Sequence, residues 1–246
     1  MRKFGLLLIG LLLIVMGSVP LANADTIIFN DTFTETVNVS LPSHTPDTGT
    51  SWTKILSRDT AGDQLQALAL DNLGIGIGGC GNNEGAGYTA DATYSGANYY
   101  VEVTMTTGDT ADDFDWIGVR LESDGDGYWL RFNNDATTFA QVFEVSGGGV
   151  TWTALGSAAA AQIANASVVK LEIIGSNIKV YDDGVQIIST SDGTYTAAGK
   201  AGVGMGDLRN NGTDDCSGQV LDDFKVTIVE AASSTTAPAP IMISIF

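Results

Sequence analysis

The chain has 246 residues, 11 Lys and Arg against 29 Asp and Glu, and a formal net charge of −18 with a pI near 4.1. That length is enough for one sizeable domain with its own core. So acidic a field repels a phosphate backbone and excludes nucleic acid as a partner class; the one concentrated positive charge is Arg2-Lys3 at the N-terminus.

Those two residues open "MRKFGLLLIGLLLIVMGSVPLANA", a basic start, an apolar run and a small-x-small end at Ala22-Asn23-Ala24. This predicts a secretory signal peptide over 1–24, a mature chain beginning near Asp25, and a secreted, extracellular or cell-surface protein with no stable membrane span after cleavage. An uncleaved anchor helix is the alternative. The run Leu6 to Val19 is short for a span. Beyond it, apolar and polar residues alternate in short runs broken by Gly, Asn, Asp and Ser. Strands are predicted at 26–33, 52–56, 64–70, 73–78, 98–107, 114–121, 128–133, 139–145, 150–154, 168–174, 178–181, 185–189, 201–206 and 220–229, with one helical turn in "SAAAAQIA" (157–164). Short strands with frequent turn signals predict an all-β sandwich over 25–229.

The clearest stretch is "VVKLEIIGSNIKVYDDGVQIIS" (168–189). Val169, Leu171 and Ile173 share one face, Ile178 and Val180 continue it, and Val185 and Ile187 are expected to complete it. "GSN" and "DDG" supply the turns, Asp183 and Gly184 tolerating the positive φ of a tight hairpin. Residues 230–246, "EAASSTTAPAPIMISIF", predict a linker or disordered tail, and "IMISIF" is too short to span a bilayer. Cys80 and Cys216 each sit in a loop rich in Gly, Asn or Asp. In an exported chain they form either one disulfide, worth about 2–4 kcal/mol, or two separate thiols.

Three stretches carry a family likeness: "FNDTFTETVNVSLPSHTPDTGTSWTKI", "DWIGVRLESDGDGYWLRF", and "VVKLEIIGSNIKVYDDGVQIIS…AAGKAGVGMG…GQVLDDFKV". In this order they resemble the concanavalin A-like lectin/glucanase (LamG-like) modules over roughly residues 26–229. The resemblance implies a two-sheet antiparallel jelly-roll sandwich with one concave sheet, carbohydrate binding in many members, often a structural calcium, and glycan hydrolysis in some. The hydrolases of that group resemble one another in an E-x-D-x-x-E strand. Here the nearest string, Glu122-Ser123-Asp124-Gly125-Asp126-Gly127, is broken by glycines and reads as a turn with solvated acids. Retaining chemistry needs two carboxyl groups about 5 Å apart, and no such pair is visible.

Two sites follow. Asp31 has the strand parity of Ile27, Phe29 and Phe33, and Asp222 that of Phe224, Val226 and Ile228, so both carboxylates are expected on an apolar side at a cost of several kcal/mol unless paired or bound. A structural Ca2+ held by Asp31 and Asp222, with Asp223 assisting, would meet that cost. Capping by backbone N–H groups, or a bulge that turns them outward, are the alternatives. In "DGDGYWLRF", Tyr128, Leu130 and Phe132 are assigned inward, leaving Trp129 and Arg131 on the other face as an aromatic plate beside a guanidinium, a pairing that suits a sugar. Trp116, Arg120 on the same parity, and Trp152 are further ligand candidates, with plain packing as the alternative for each Trp. The Gly-rich 74–87 segment lacks the ending of a phosphate loop and reads as turns with close strand approach. His44, the single histidine, sits in a turn-rich loop without a second zinc ligand nearby. The leading expectation is a secreted, non-catalytic, lectin-like module binding a glycan or surface polysaccharide. The alternatives are a structural or adhesive protein on the same fold, and a glycoside hydrolase with a non-standard acid pair among Glu102, Asp115, Glu122 and Glu144.

Overall fold

In the computed structural model every strand pairing is antiparallel and the alternating segments build two sheets. The structure describes residues 25–34, 38–57, 65–68, 74–77, 85–107, 113–132, 140–159, 163–207 and 220–230. Those within 25–230 form one compact unit. The leader 1–24, the tail 231–246, and both Cys80 and Cys216 lie outside the described residues.

The strands in chain order are β1 (Thr26–Asp31), β2 (Val39–Ser40), β3 (Ser51–Ser57), β4 (Leu65–Leu68), β5 (Gly74–Ile77), β6 (Gly85–Asp91), β7 (Tyr99–Thr107) and β8 (Asp113–Leu121). They continue with β9 (Gly127–Phe132), β10 (Ala140–Ser146), β11 (Thr151–Ala159), β12 (Val168–Ile174), β13 (Asn177–Asp182), β14 (Val185–Ser191), β15 (Lys200–Asp207) and β16 (Val220–Ile228). A nine-stranded sheet runs β14-β13-β12-β7-β16-β5-β4-β2, with β1 also on β16. A seven-stranded sheet runs β11-β10-β9-β8-β15-β6-β3. This is an all-β, two-sheet antiparallel jelly-roll sandwich, with no α-helix among the described residues.

The predicted alternation explains the core. Val101, Val103, Val169, Leu171, Ile173, Ile178 and Val180 face it from the nine-stranded sheet, and Ile117, Val119, Tyr128, Leu130, Phe132 and Val142 from the seven-stranded one. The three-stranded ribbon 168–191 forms as expected, its second turn carrying φ of +46° at Asp183 and +77° at Gly184. One detail differs. The β13–β14 register slips between Val180 and Tyr181, so Ile188 is buried while Val185 is 66% exposed and Ile187 only half-buried. A one-residue slip exchanges the two faces of a strand.

Two other expectations change. The helical turn expected at 157–164 is absent at its start, where residues 157–159 extend β11; 160–162 lie outside the described residues. In the Gly-rich segment 74–77 is the expected strand, β5, whereas 85–87, expected as turn, open the strand β6. Strands β2 and β6 have no counterpart among the predicted elements. β2 is two residues long, and β6 begins Gly-Ala-Gly, a composition that weakens any strand signal.

Candidate functional site

Strands β8, β9, β10 and β11 turn a second apolar layer away from the core. On this outer face of the seven-stranded sheet, Phe114, Trp116, Trp129, Phe143, Val145, Leu56 and Leu121 form a buried cluster of their own, with Trp152 and Ile55 packed on it. Tyr128, Leu130 and Phe132 do point inward, and Trp129 and Arg131 outward, as the alternation requires. Trp129 and Trp116 are nevertheless 0% exposed, which corrects the expectation of an exposed Trp129 plate.

The sheet beneath explains how two indoles lie so flat. The outward positions 85 and 87 on β6 and 202, 204 and 206 on β15 are glycines. A Cβ on Gly204 would stand 2.7 Å from Trp116 Cε3, and one on Gly85 2.8 Å from Trp116 Cη2. One on Gly87 would stand 3.2 Å from Trp129 Cη2. The strands thus leave a trough of main chain, and the rings fill it. Trp129 Nε1–H donates to Gly125 O at 3.0 Å.

Trp152, half-buried on β11, covers this floor. Its ring lies 5.3 Å from Trp116 and 6.4 Å from Trp129, nearly parallel to the latter at 28°. Its Nε1–H donates to Gly149 O at 3.0 Å. Arg131, also half-buried, sets its guanidinium carbon 4.2 Å from the Phe114 ring centroid and 4.9 Å from that of Phe143. Of the five predicted ligand residues, the structure therefore brings Trp116, Trp129, Arg131 and Trp152 together, the two buried rings as floor and Trp152 with Arg131 at the surface.

Arg120 is placed elsewhere. Its φ is +53°, at an irregularity in the β8–β15 pairing, and it does not share the face of Trp116. The side chain is buried, its Nε and Nη2 donating to Ala97 O and its Nη1 to Tyr195 O at 2.7 Å. Burial lowers its pKa against the opposing effects of Tyr99 and Tyr128. It acts as a clamp on two main-chain segments.

The acids of the "DGDG" turn are not simply solvated. Asp126 accepts N–H from Gly147 (3.0 Å), Gly148 (2.8 Å) and Gly149 (2.9 Å). All three glycines have φ between +73° and +78°, so their amides converge on one carboxylate in a nest. This stitches the β8–β9 turn to the β10–β11 turn beside Trp152. The spacing of Asp126 and "GGG" carried that signal, and the sequence reading missed it.

The expected calcium site does not fit the donors present. Asp31 is 1% exposed, but its oxygens are already served by protein. His44 Nε2 lies 2.8 Å from both, Trp52 Nε1–H donates to Oδ2 at 2.8 Å, and Phe33 N–H donates to Oδ1 at 3.1 Å. The carboxylate can only accept, so His44 Nε2 carries the proton. The lone histidine sits in the expected turn-rich segment and is a buried partner of Asp31. A bulge in β16 leaves Asp222 half-buried, and Asp223, with φ +52°, turns outward toward Thr104 Oγ1 at 3.3 Å. Burial raises the Asp222 pKa to about 6, the Asp223 N–H opposing and the charges of Asp223 and Asp31 adding. Among the described residues no group of three or more His, Cys, Asp or Glu is placed to hold a metal ion.

Four acids were candidates for an acid pair. Glu102 pairs with Lys225 at 2.6 Å on the far face of the nine-stranded sheet. Asp115 has the parity of the core residues Ile117 and Val119 and is fully buried. Glu122 and Glu144 lie near Tyr195.

No protein-family profile and no curated protein matches the chain. Solved structures do. A protein of unknown function with a galectin-like fold from Bacillus subtilis aligns with a TM-score of 0.53 and 11% identity, over 85% of this chain and 100% of its own. The exoplasmic/lumenal domain of VIP36, in a form bound to Ca2+ and Man3GlcNAc, aligns with a TM-score of 0.50 and 12% identity, over 76% of this chain and 85% of its own. A carbohydrate-binding module, CBM66 from Bacillus subtilis, aligns with a TM-score of 0.43 and 16% identity, over 72% of this chain and 91% of its own. At these identities the shared property is the fold, a lectin-like sandwich.

Proposed function

We propose that the chain is an exported, non-catalytic carbohydrate-binding module of the concanavalin A-like kind, which grips a glycan or surface polysaccharide with the outer face of its seven-stranded sheet. The observation that carries this is the Trp152–Arg131 rim above the buried Trp116–Trp129 floor. An indole fixed from below offers its face to the C–H side of a sugar ring, and the neighbouring guanidinium donates hydrogen bonds to hydroxyls. The galectin-like fold supports the reading, as does the glycan bound to VIP36. Glu102 on the other sheet and Asp115 in the core stand apart from this face, and hydrolysis needs two carboxyl groups across one bond. The Asp31 oxygens are served by His44, Trp52 and the Phe33 N–H, so the reading does not call on calcium.

Titration of neutral polysaccharides into the exported full chain tests it. Saturable binding is expected, and Trp152→Ala, which removes a half-exposed ring, should weaken it at least about 10-fold while the circular dichroism spectrum is kept, because aromatic contacts at interfaces carry about 2 kcal/mol or more each. Unchanged affinity in Trp152→Ala overturns the site. The mass of the exported protein tests the leader: a chain beginning near Asp25 is expected, and a retained Met1 would refute cleavage.

A further inference from the structure

A separate cavity lies where the segment between β14 and β15 crosses the end of the sandwich. It encloses about 220 Å3 and is lined by Arg120, Glu122, Thr194, Tyr195, Thr196 and Gly199. That is smaller than the roughly 300–1,000 Å3 of drug-sized sites, so its occupant is small.

Its walls are fixed by the fold. Tyr195 packs edge-on against Tyr128, ring centroids 5.4 Å apart, and its O–H donates to Val145 O at 2.7 Å. Tyr195 N–H donates to Tyr128 Oη at 3.0 Å, and Tyr128 O–H donates to Asp192 Oδ1 at 2.6 Å. Tyr99 O–H holds Gly199 O at 2.8 Å, and Arg120 holds Tyr195 O. Gly199 can be nothing larger, since a Cβ there would stand 2.4 Å from the Arg120 carbonyl carbon. A cavity with pinned walls loses little entropy on binding.

The lining chemistry is specific. A guanidinium has five N–H donors, and the fold uses three of those on Arg120. Two are left on a side chain only 2% exposed that lines the cavity. Glu122, exposed, lines it too, and its carboxylate makes no hydrogen bond or ion pair among the described residues. Thr194 and Thr196 add hydroxyls, and Tyr195 a ring. Burial, then the charges of Asp126, Glu144 and Glu122, push the Tyr195 phenol pKa upward. With one carboxylate and one guanidinium in the same lining, acceptors and donors of opposite charge stand together, which suits a neutral ligand over either ion.

We infer that this cavity is a second subsite for a single neutral sugar residue, whose adjacent hydroxyls bridge the Glu122 carboxylate and the two remaining N–H donors of Arg120, with Tyr195 beside the ring. The sugar class rests on the carbohydrate-binding reading above; the location and the neutrality rest on the cavity itself.

The test is NMR titration of the exported full chain with neutral methyl glycosides of hexoses and pentoses, and with glucuronic acid and glucosamine as charged counterparts. Saturable shifts of the Thr194–Gly199 amides by a neutral glycoside are expected, with Kd at least about 10-fold weaker in Glu122→Gln. That side chain supports nothing in the fold, so the variant should keep the wild-type melting temperature. Shifts from the charged sugars alone, or equal affinity in Glu122→Gln, overturn the subsite. If polysaccharide binds and loses affinity in Trp152→Ala while no monosaccharide moves these amides, the subsite fails and the module reading stands. If neither polysaccharide nor monosaccharide binds, both fall.

Discussion

Replacing His44 by Ala takes from Asp31 the donor that reaches both its oxygens and leaves a buried carboxylate underserved. Breaking a buried pair from one side costs about 3–5 kcal/mol, and a urea midpoint for His44→Ala should show a loss in that range. A loss below about 1 kcal/mol would mean that the pair contributes little. Asp222 gives a pH signature of the opposite kind. Its folded pKa, about 6, lies above the ordinary 3.8, so the folded chain binds the proton more tightly than the unfolded chain does. Its contribution to stability is fully present below 3.8 and is lost as pH rises through 6. Asp222→Asn should therefore melt higher than the wild type at pH 8, and the advantage should vanish near pH 3.5. A difference of equal size at both pH values would refute the assignment.

At the scale of elements, the Asp126 nest joins two turns that are not neighbours in sequence. Asp126→Ala leaves three glycine amides without their acceptor and should cost about 1–3 kcal/mol, with faster hydrogen exchange at Gly147–Gly149. Unchanged exchange there would show that the turns hold without the clip. Gly204→Ala drives a methyl group into Trp116 and Ala86 O, an overpacking that typically costs about 1–3 kcal/mol, read as a lowered melting temperature. These elements also show what could be read in advance. Every predicted strand is present because each needed only local alternation and turn residues. The faces of Trp129 and Arg131 were legible for the same reason. The burial of Trp129 was not, because it depends on β11, β3 and a glycine trough on β6 and β15 brought together from distant segments. The alternate glycines of "GVGMG" were the available signal, since a strand with Gly at every second residue leaves one face bare. Arg120 was misplaced because a positive φ breaks the two-residue period, and periodicity does not report such a residue.

For the whole molecule, a net charge of −18 acts against the folded state through self-repulsion. Surface pairs such as Lys225–Glu102 return little, about 0–1 kcal/mol each. Raising NaCl from 10 to 500 mM shortens the Debye length from about 30 Å to below 8 Å, and the melting temperature should rise by a few degrees. A fall would show that attractive pairs dominate. A chelator should leave that temperature unchanged, and a drop of several degrees would restore the case for a bound cation.

The stacking of Trp152 on two enclosed indoles has an optical consequence. The sequence holds four tryptophans; Trp52, Trp116 and Trp129 are sealed, and Trp152 alone reaches water. With ring centres 5.3–6.4 Å apart, three of them are close enough for excitation to be shared among them. If a saccharide settles on Trp152 as proposed, the emission of the whole trio should change, and occupancy could be read without an attached dye.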